Sequence, residues 1–280
     1  MQLFLHFTVL IQIAYSYKFI PTNQKQNYNF ATNTILHKNV AKVEEVPHHV
    51  LIVYGSYFCS GSLIRSQVVL TTASCFDRSP HRKTVVKVGA DTVTGPGQVI
   101  SVVEIKIHEY YKHSSDASHD VALLALKEHA EFSDKVKKIV IVDPEVALRV
   151  GTSIDVSGWG HSNLPAKYLN HLVWSEMVVI SNEECRKFYN GLITDSNFCA
   201  KYQVERRLSD NGGPALFRNL LVGMLSFGGT KREEPHIAVF SNASYFHRWI
   251  TLNSRRFLEK YCVDLEPDLD ISLKSLNDMI

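Results

Sequence analysis

The chain has 280 residues, of which 45% are hydrophobic and 21% charged, the balance of a globular protein large enough for one big domain or two packed halves. A formal net charge of +2 excludes a strong electrostatic commitment to nucleic acid or to an anionic membrane surface. The thirteen histidines are scattered, and His48-His49 lacks a third partner at metal-ligand spacing, so neither a metal nor another cofactor is expected.

At the amino terminus, Leu3 to Ile13 is apolar except for His6, Thr8 and Gln12, and Ala14 and Ser16 put small residues before Tyr17. This pattern predicts a secretory signal peptide over 1–16, even without a basic n-region. The stretch falls short of the roughly 20 residues a membrane span needs. Residues 17–34, rich in Asn, Gln, Thr and Tyr, read as a flexible leader. From Pro47 onward the chain is a succession of short Val-, Ile- and Leu-rich runs: His49–Val53, Val68–Thr72, Val85–Val88, Val99–Ile107, Val121–Leu126, Ile139–Val142, Leu172–Ile180 and Leu220–Phe227. Turn signals such as Thr94-Gly95-Pro96-Gly97 and Gly228-Gly229 separate them. Many short strands with regular punctuation predict an all-β sandwich or barrel. A helix is expected only from about Ser244 to Phe257, followed by a tail, Asp264 to Ile280, that alternates acidic and aliphatic residues. Five cysteines are present. Cys59 and Cys75 bracket one strand-like stretch, Cys185 and Cys199 bracket another, and Cys262 is left over; spacing alone leaves their connectivity open.

Four stretches together carry a resemblance. Cys59-Ser60-Gly61-Ser62-Leu63-Ile64 is followed by Leu70-Thr71-Thr72-Ala73-Ser74-Cys75; then come Asp120-Val121-Ala122-Leu123-Leu124, Val156-Ser157-Gly158-Trp159-Gly160 and Ser209-Asp210-Asn211-Gly212-Gly213-Pro214. With Ser226-Phe227-Gly228 and the closing Trp249-Ile250 in the same order, the chain from about Ile35 to Leu252 resembles the chymotrypsin/trypsin family of serine proteases (peptidase S1). The resemblance implies two antiparallel six-stranded β-barrels with a cleft between them and a C-terminal helix, with 253–280 as a C-terminal extension. It also implies the disulfides Cys59–Cys75 and Cys185–Cys199. Where the family has a further cysteine pair, this chain has Ile154 and Phe217, and where another bridge braces the loop before the nucleophile, it has Arg207.

Peptide hydrolysis by the family route needs a hydroxyl nucleophile, a base and an orienting carboxylate. Asp120 matches the carboxylate, but Ser74 stands where the histidine base is expected and Asn211 where the serine nucleophile is expected. Two other departures accompany these. Ser209 replaces the glycine whose amide helps form the oxyanion hole, and Thr34 precedes Ile35-Leu36-His37-Lys38, which aligns with the terminus that activation would free to pair with Asp210. The expected function is therefore that of a secreted serine protease homologue, a pseudoprotease that binds an extracellular protein or peptide. The alternatives are an endopeptidase with a non-standard mechanism and a structural secretory component.

Asp120 is expected to accept hydrogen bonds from Ser226, Ser74 and nearby amides. Glu205, six residues before Asn211, is a candidate for the floor of a specificity pocket, against the plainer reading of a solvated charge. His119 is read as a strand residue facing away from Asp120. Asn242-Ala243-Ser244 is an N-glycosylation sequon. Cys262 is open to an intermolecular disulfide, a pairing within the tail, or a free thiol.

Overall fold

The computed structural model describes residues 40–77, 83–111, 118–143, 148–159, 170–203, 210–228 and 236–261. Six antiparallel strands come first: β1 (His49–Tyr54), β2 (Tyr57–Arg65), β3 (Val68–Thr71), β4 (Thr84–Val88), β5 (Gln98–Ile107) and β6 (Ala122–Leu126). They close into a barrel in the order β1-β2-β3-β6-β5-β4. The two-residue period of a strand divides their side chains between two apolar environments. Val50, Ile52, Val69 and Leu124 fill the barrel interior. Their neighbours Leu51 on one side and Leu70 and Leu123 on another join separate outer clusters. Burial on both faces explains why β1, β3 and β6 read as nearly continuous apolar runs, whereas β4 and β5, partly exposed, carry polar residues among theirs.

The second half contributes β7 (Val140–Ile141), β8 (Ser153–Trp159), β9 (Leu172–Ile180), β10 (Asn197–Tyr202), β11 (Pro214–Phe217), β12 (Leu220–Gly228) and β13 (Ile237–Asn242). The sheet runs β11-β8-β9-β10-β13-β12-β7, and an additional β11–β12 pairing closes six of these strands into a second barrel. β7 is the exception to the antiparallel scheme, lying parallel to the start of β12. Arg218 and Asn219, both at positive φ (50° and 61°), make the two-residue turn of the β11–β12 hairpin in the form that matches strand twist. The register Leu216↔Asp155 sets Ile154 and Phe217 at the next step along the same two strands, where the family cysteines are missing.

The expected two-barrel, helix-terminated fold is the one observed, with local corrections. Residues between Cys185 and Cys199 are not a strand. They hold the end of a short helix, α1 (Asn182–Arg186), and turns leading into β10. The final helix, α2 (His247–Tyr261), starts three residues later than expected and runs four further. Ile250, Asn253, Ser254 and Phe257 form its buried stripe at helical spacing. That stripe packs with Ile64, Leu70, Val121 and Leu123, so a helix that follows the second barrel covers the outside of the first.

α1 is too short to hold itself and depends on its cap. Ser181 Oγ accepts a hydrogen bond from Glu184 N at 3.0 Å. Ser181→Ala is expected to lower stability by about 1 kcal/mol, read as a shift in the urea midpoint at constant slope. No change would mean that the Cys185–Cys199 bond alone sets the turn.

Candidate active-site cleft

Both disulfides are present, Cys59–Cys75 and Cys185–Cys199. The first ties β2 to the 3-10 turn Ala73–Phe76, which carries Ser74 to the junction of the two halves. Asp120 arrives from the residue pair before β6, and Asn211 from the turn before β11. The three side chains meet. Asn211 Nδ2 donates to Ser74 Oγ at 3.1 Å, and Ser74 Oγ donates to Asp120 Oδ2 at 2.9 Å. Ser74 N also donates to Asp120 Oδ1 at 2.7 Å, and Ser226 Oγ to Oδ2 at 2.5 Å.

Asp120 is only 2% exposed. Burial raises its carboxyl pKa against the lowering effect of the bonds from Ser226 and Ser74. The chain of donors runs amide to hydroxyl to carboxylate. Ser74 gives its single hydrogen to Asp120 and receives one from Asn211, which leaves it no means of accepting a proton as a base near neutral pH. In front of this constellation lies an open cavity of about 320 Å³ lined by Tyr54, Tyr57, Phe58, Cys59, Asp77 and the Ser74–Asn211 pair. Tyr57 and Phe58 are both exposed.

A second polar group sits directly behind the cleft. Asp210, wholly buried, accepts from Trp159 N at 2.7 Å and from Ser60 Oγ. His49 Nε2 lies 2.8 Å from Ser60 Oγ, and His49 Nδ1 lies 2.9 Å from Ser157 Oγ. Because Ser60 donates to Asp210, its oxygen accepts from His49 Nε2–H, and Ser157 in turn donates to Nδ1; the bonding pattern assigns this tautomer. Burial holds His49 neutral, with its pKa well below the ordinary value, and the ring stands edge-on to Trp159. Burial pushes the Asp210 carboxyl up to about 7 against the bonds from Ser60 and Trp159.

This network escaped sequence reasoning. Its one legible signal is Ser60, a hydroxyl where the resembled family has glycine, because His49 and Ser157 are 108 residues apart. His119 corrects another expectation. It lies in the turn before β6 with φ 56°, and its ring packs among His108, Tyr110, Tyr245 and Phe246. Glu205, Ser209, Arg207, Cys262 and residues 1–39 lie outside the described residues. Among the described residues no group of three or more His, Cys, Asp or Glu side chains is placed to hold a metal ion.

The family model described as Trypsin matches residues 35–250. The chain is 31% identical to Trypsin 5G1 of Aedes aegypti over 215 residues, covering 74% of this chain and 80% of that protein. It is 28% identical to Trypsin-2 of Salmo salar, covering 75% and 90%. Among solved structures it is similar to neuropsin, a serine protease expressed in the limbic system of mouse brain, at 27% identity and TM-score 0.69, with 77% of this chain and 98% of that one covered. It shares its fold with a scabies mite inactivated protease paralogue at 24% identity and TM-score 0.69, with coverage of 78% and 99%.

Proposed function

The chain belongs to the trypsin family, and from that premise we propose that it is a secreted, non-cleaving member whose cleft binds an extended segment of an extracellular protein. The observation that carries this reading is the closed chain Asn211–Ser74–Asp120. The positions that the family mechanism reserves for nucleophile and base hold an amide and a hydroxyl already committed to each other. An amide is a poor nucleophile, and a hydroxyl is too weakly basic to take up the nucleophile's proton at neutral pH. Loss of a single triad member lowers turnover by roughly 10⁴- to 10⁶-fold, and residual catalysis comes only from binding and the oxyanion site. The open cavity beside the pair and its exposed Tyr57 and Phe58 leave a surface for peptide contact. Two disulfides fit an oxidising, extracellular setting.

The named relatives are trypsins, so cleavage by another route is the competing reading, and one experiment separates them. Purified protein is incubated with a diverse peptide library and products are read by mass spectrometry, beside an Asp120→Ala preparation made identically. The expected result is no cleavage that depends on Asp120, with saturable retention of a subset of peptides that Asn211→Trp, filling the cleft, abolishes. Asp120-dependent products overturn the reading and make this chain an enzyme. Absence of both products and retention overturns the binding role.

A further inference from the structure

Where β9, β10 and β13 meet, an open cavity of about 490 Å³ is bounded by Val142, Leu148, Val150, Val179, Phe198 and Val222 together with the polar side chains of Asn182, Asp195, Asn197 and Asn242. Val150 is 66% exposed on its rim, a bare apolar surface with no counterpart in the cleft chemistry. Asn242 is the last residue of β13 and is half-buried. Its side chain is held by its oxygen alone. Oδ1 accepts from Ser244 N at 3.1 Å and from Tyr245 N at 3.4 Å, an Asx turn that leads towards α2. Oδ1 is engaged by the backbone, and Asn242 itself lines the cavity.

We infer that Asn242 carries an N-linked glycan whose first N-acetylglucosamine lies in this cavity. The inference rests on the secretory part of the proposed function, because the modification is made only on that route. Three features of the molecule support it. Asn242-Ala243-Ser244 is an acceptor sequon. The Asx turn uses only the oxygen, so derivatising the nitrogen costs no bond of the fold. The cavity sets the apolar side chains of Val142, Val179, Phe198 and Val222 beside the amides of Asn182 and Asn197 and the carboxylate of Asp195, as a sugar with apolar ring faces and hydroxyl and acetamide edges requires.

Attachment forms the bond between Asn242 Nδ2 and the anomeric carbon of a lipid-pyrophosphate-linked oligosaccharide. The carbon–oxygen bond to pyrophosphate breaks, and the lipid pyrophosphate leaves with the amide proton; no redox step is involved. Seating the first sugar covers Val150 and adds contacts across the strands β9, β10 and β13 that meet there.

The full chain is expressed in a eukaryotic secretory host, and both medium and cell lysate are collected. Release of the glycan by peptide-N-glycosidase in heavy-oxygen water is expected to leave a labelled aspartate at position 242, and Ser244→Ala is expected to abolish the label. Secreted chain with unmodified Asn242 overturns the inference while leaving the secretory reading intact. Chain found unmodified in the lysate and absent from the medium overturns both.

The seat has its own readout, on the parent sequence alone. Protein trimmed by an endoglycosidase to a single N-acetylglucosamine is expected to melt with the fully glycosylated form. Both are expected to melt about 2–4 °C above unglycosylated protein from a bacterial periplasm, the shift that roughly 1 kcal/mol gives in a domain of this size. Equal melting of all three forms overturns the cavity seat.

Discussion

Gly212→Ala is expected to lose more than about 4 kcal/mol of stability, enough to leave a marginally stable domain largely unfolded. The turn before β11 holds Gly212 at φ +86°, and a Cβ there would stand 2.0 Å from Ser60 O and 2.3 Å from Thr71 Oγ1. Neither neighbour can retreat. Ser60 O already accepts from Thr71 Oγ1 at 2.7 Å, Ser60 N donates to Asn211 O at 2.8 Å, and Gly212 N donates to Leu225 O at 2.7 Å. The turn is therefore clamped between β2 of the first barrel and β12 of the second. Gly151→Ala is the control. It has the same backbone region, φ +87°, with nothing within 4 Å of the added carbon, so its cost is the conformational one of about 1 kcal/mol. Urea unfolding followed by tryptophan fluorescence measures both variants. Equal losses would show that close approach contributes nothing at Gly212.

The second large effect is a dependence on pH. Asp210 binds its proton more tightly folded than unfolded, so its contribution to stability is fully present below the ordinary carboxyl pKa. That contribution is lost as pH rises through the folded value of about 7. A displacement of that size corresponds to on the order of 4 kcal/mol across the window. Asp120, also raised by burial, has the same sign. His48, lowered by burial to about 4, and His49, lowered by burial and by His48, have the opposite sign. Their neutral folded forms add stability as pH rises through the same range. The parent is expected to show opposed slopes that largely offset one another below about pH 6.5.

Asp210→Asn, a neutral isostere of the protonated acid, removes one of the falling contributions. The groups facing it from the packed elements are Ser60 from β2, Trp159 N from β8 and, behind them, His49 from β1. Stability of the variant minus that of the parent is expected to rise with pH by up to about 4 kcal/mol between pH 4 and a little above pH 7. Denaturant titrations at unit pH steps check this. A difference that stays constant with pH would mean that Asp210 is ionised throughout.

How much of this was legible in the sequence depends on the range over which each feature is decided. Strands buried on both faces, such as His49–Tyr54 and Ala122–Leu126, announce themselves, because every position is apolar or nearly so. β8 does not: Ser153-Ile154-Asp155-Val156-Ser157-Gly158-Trp159 includes an acid, two serines and a glycine, and its strand character comes from pairing with β9 along its whole length. The helix α1 hides in the polar run Asn182-Glu183-Glu184, where a local cap, Ser181 Oγ accepting from Glu184 N, decides the matter. Ser74, Asp120 and Asn211 were legible through ordered motifs. His49, Ser60 and Ser157 were not, because a buried hydroxyl or imidazole is distinguished from an exposed one only by partners that the fold brings from far along the chain.

The packing of α2 against Leu70 and Leu123 has a consequence for biosynthesis. The six strands of the first barrel are complete in the chain by Leu126, yet the apolar outer face of β3 and β6 is covered by residues 247–261. During translation the helix that covers that face is made only after the entire second barrel. The helix that follows the second barrel thus seals the first, and a nascent chain arrested before Trp249 leaves the Leu70 and Leu123 face without it, the kind of transiently exposed apolar surface on which aggregation starts.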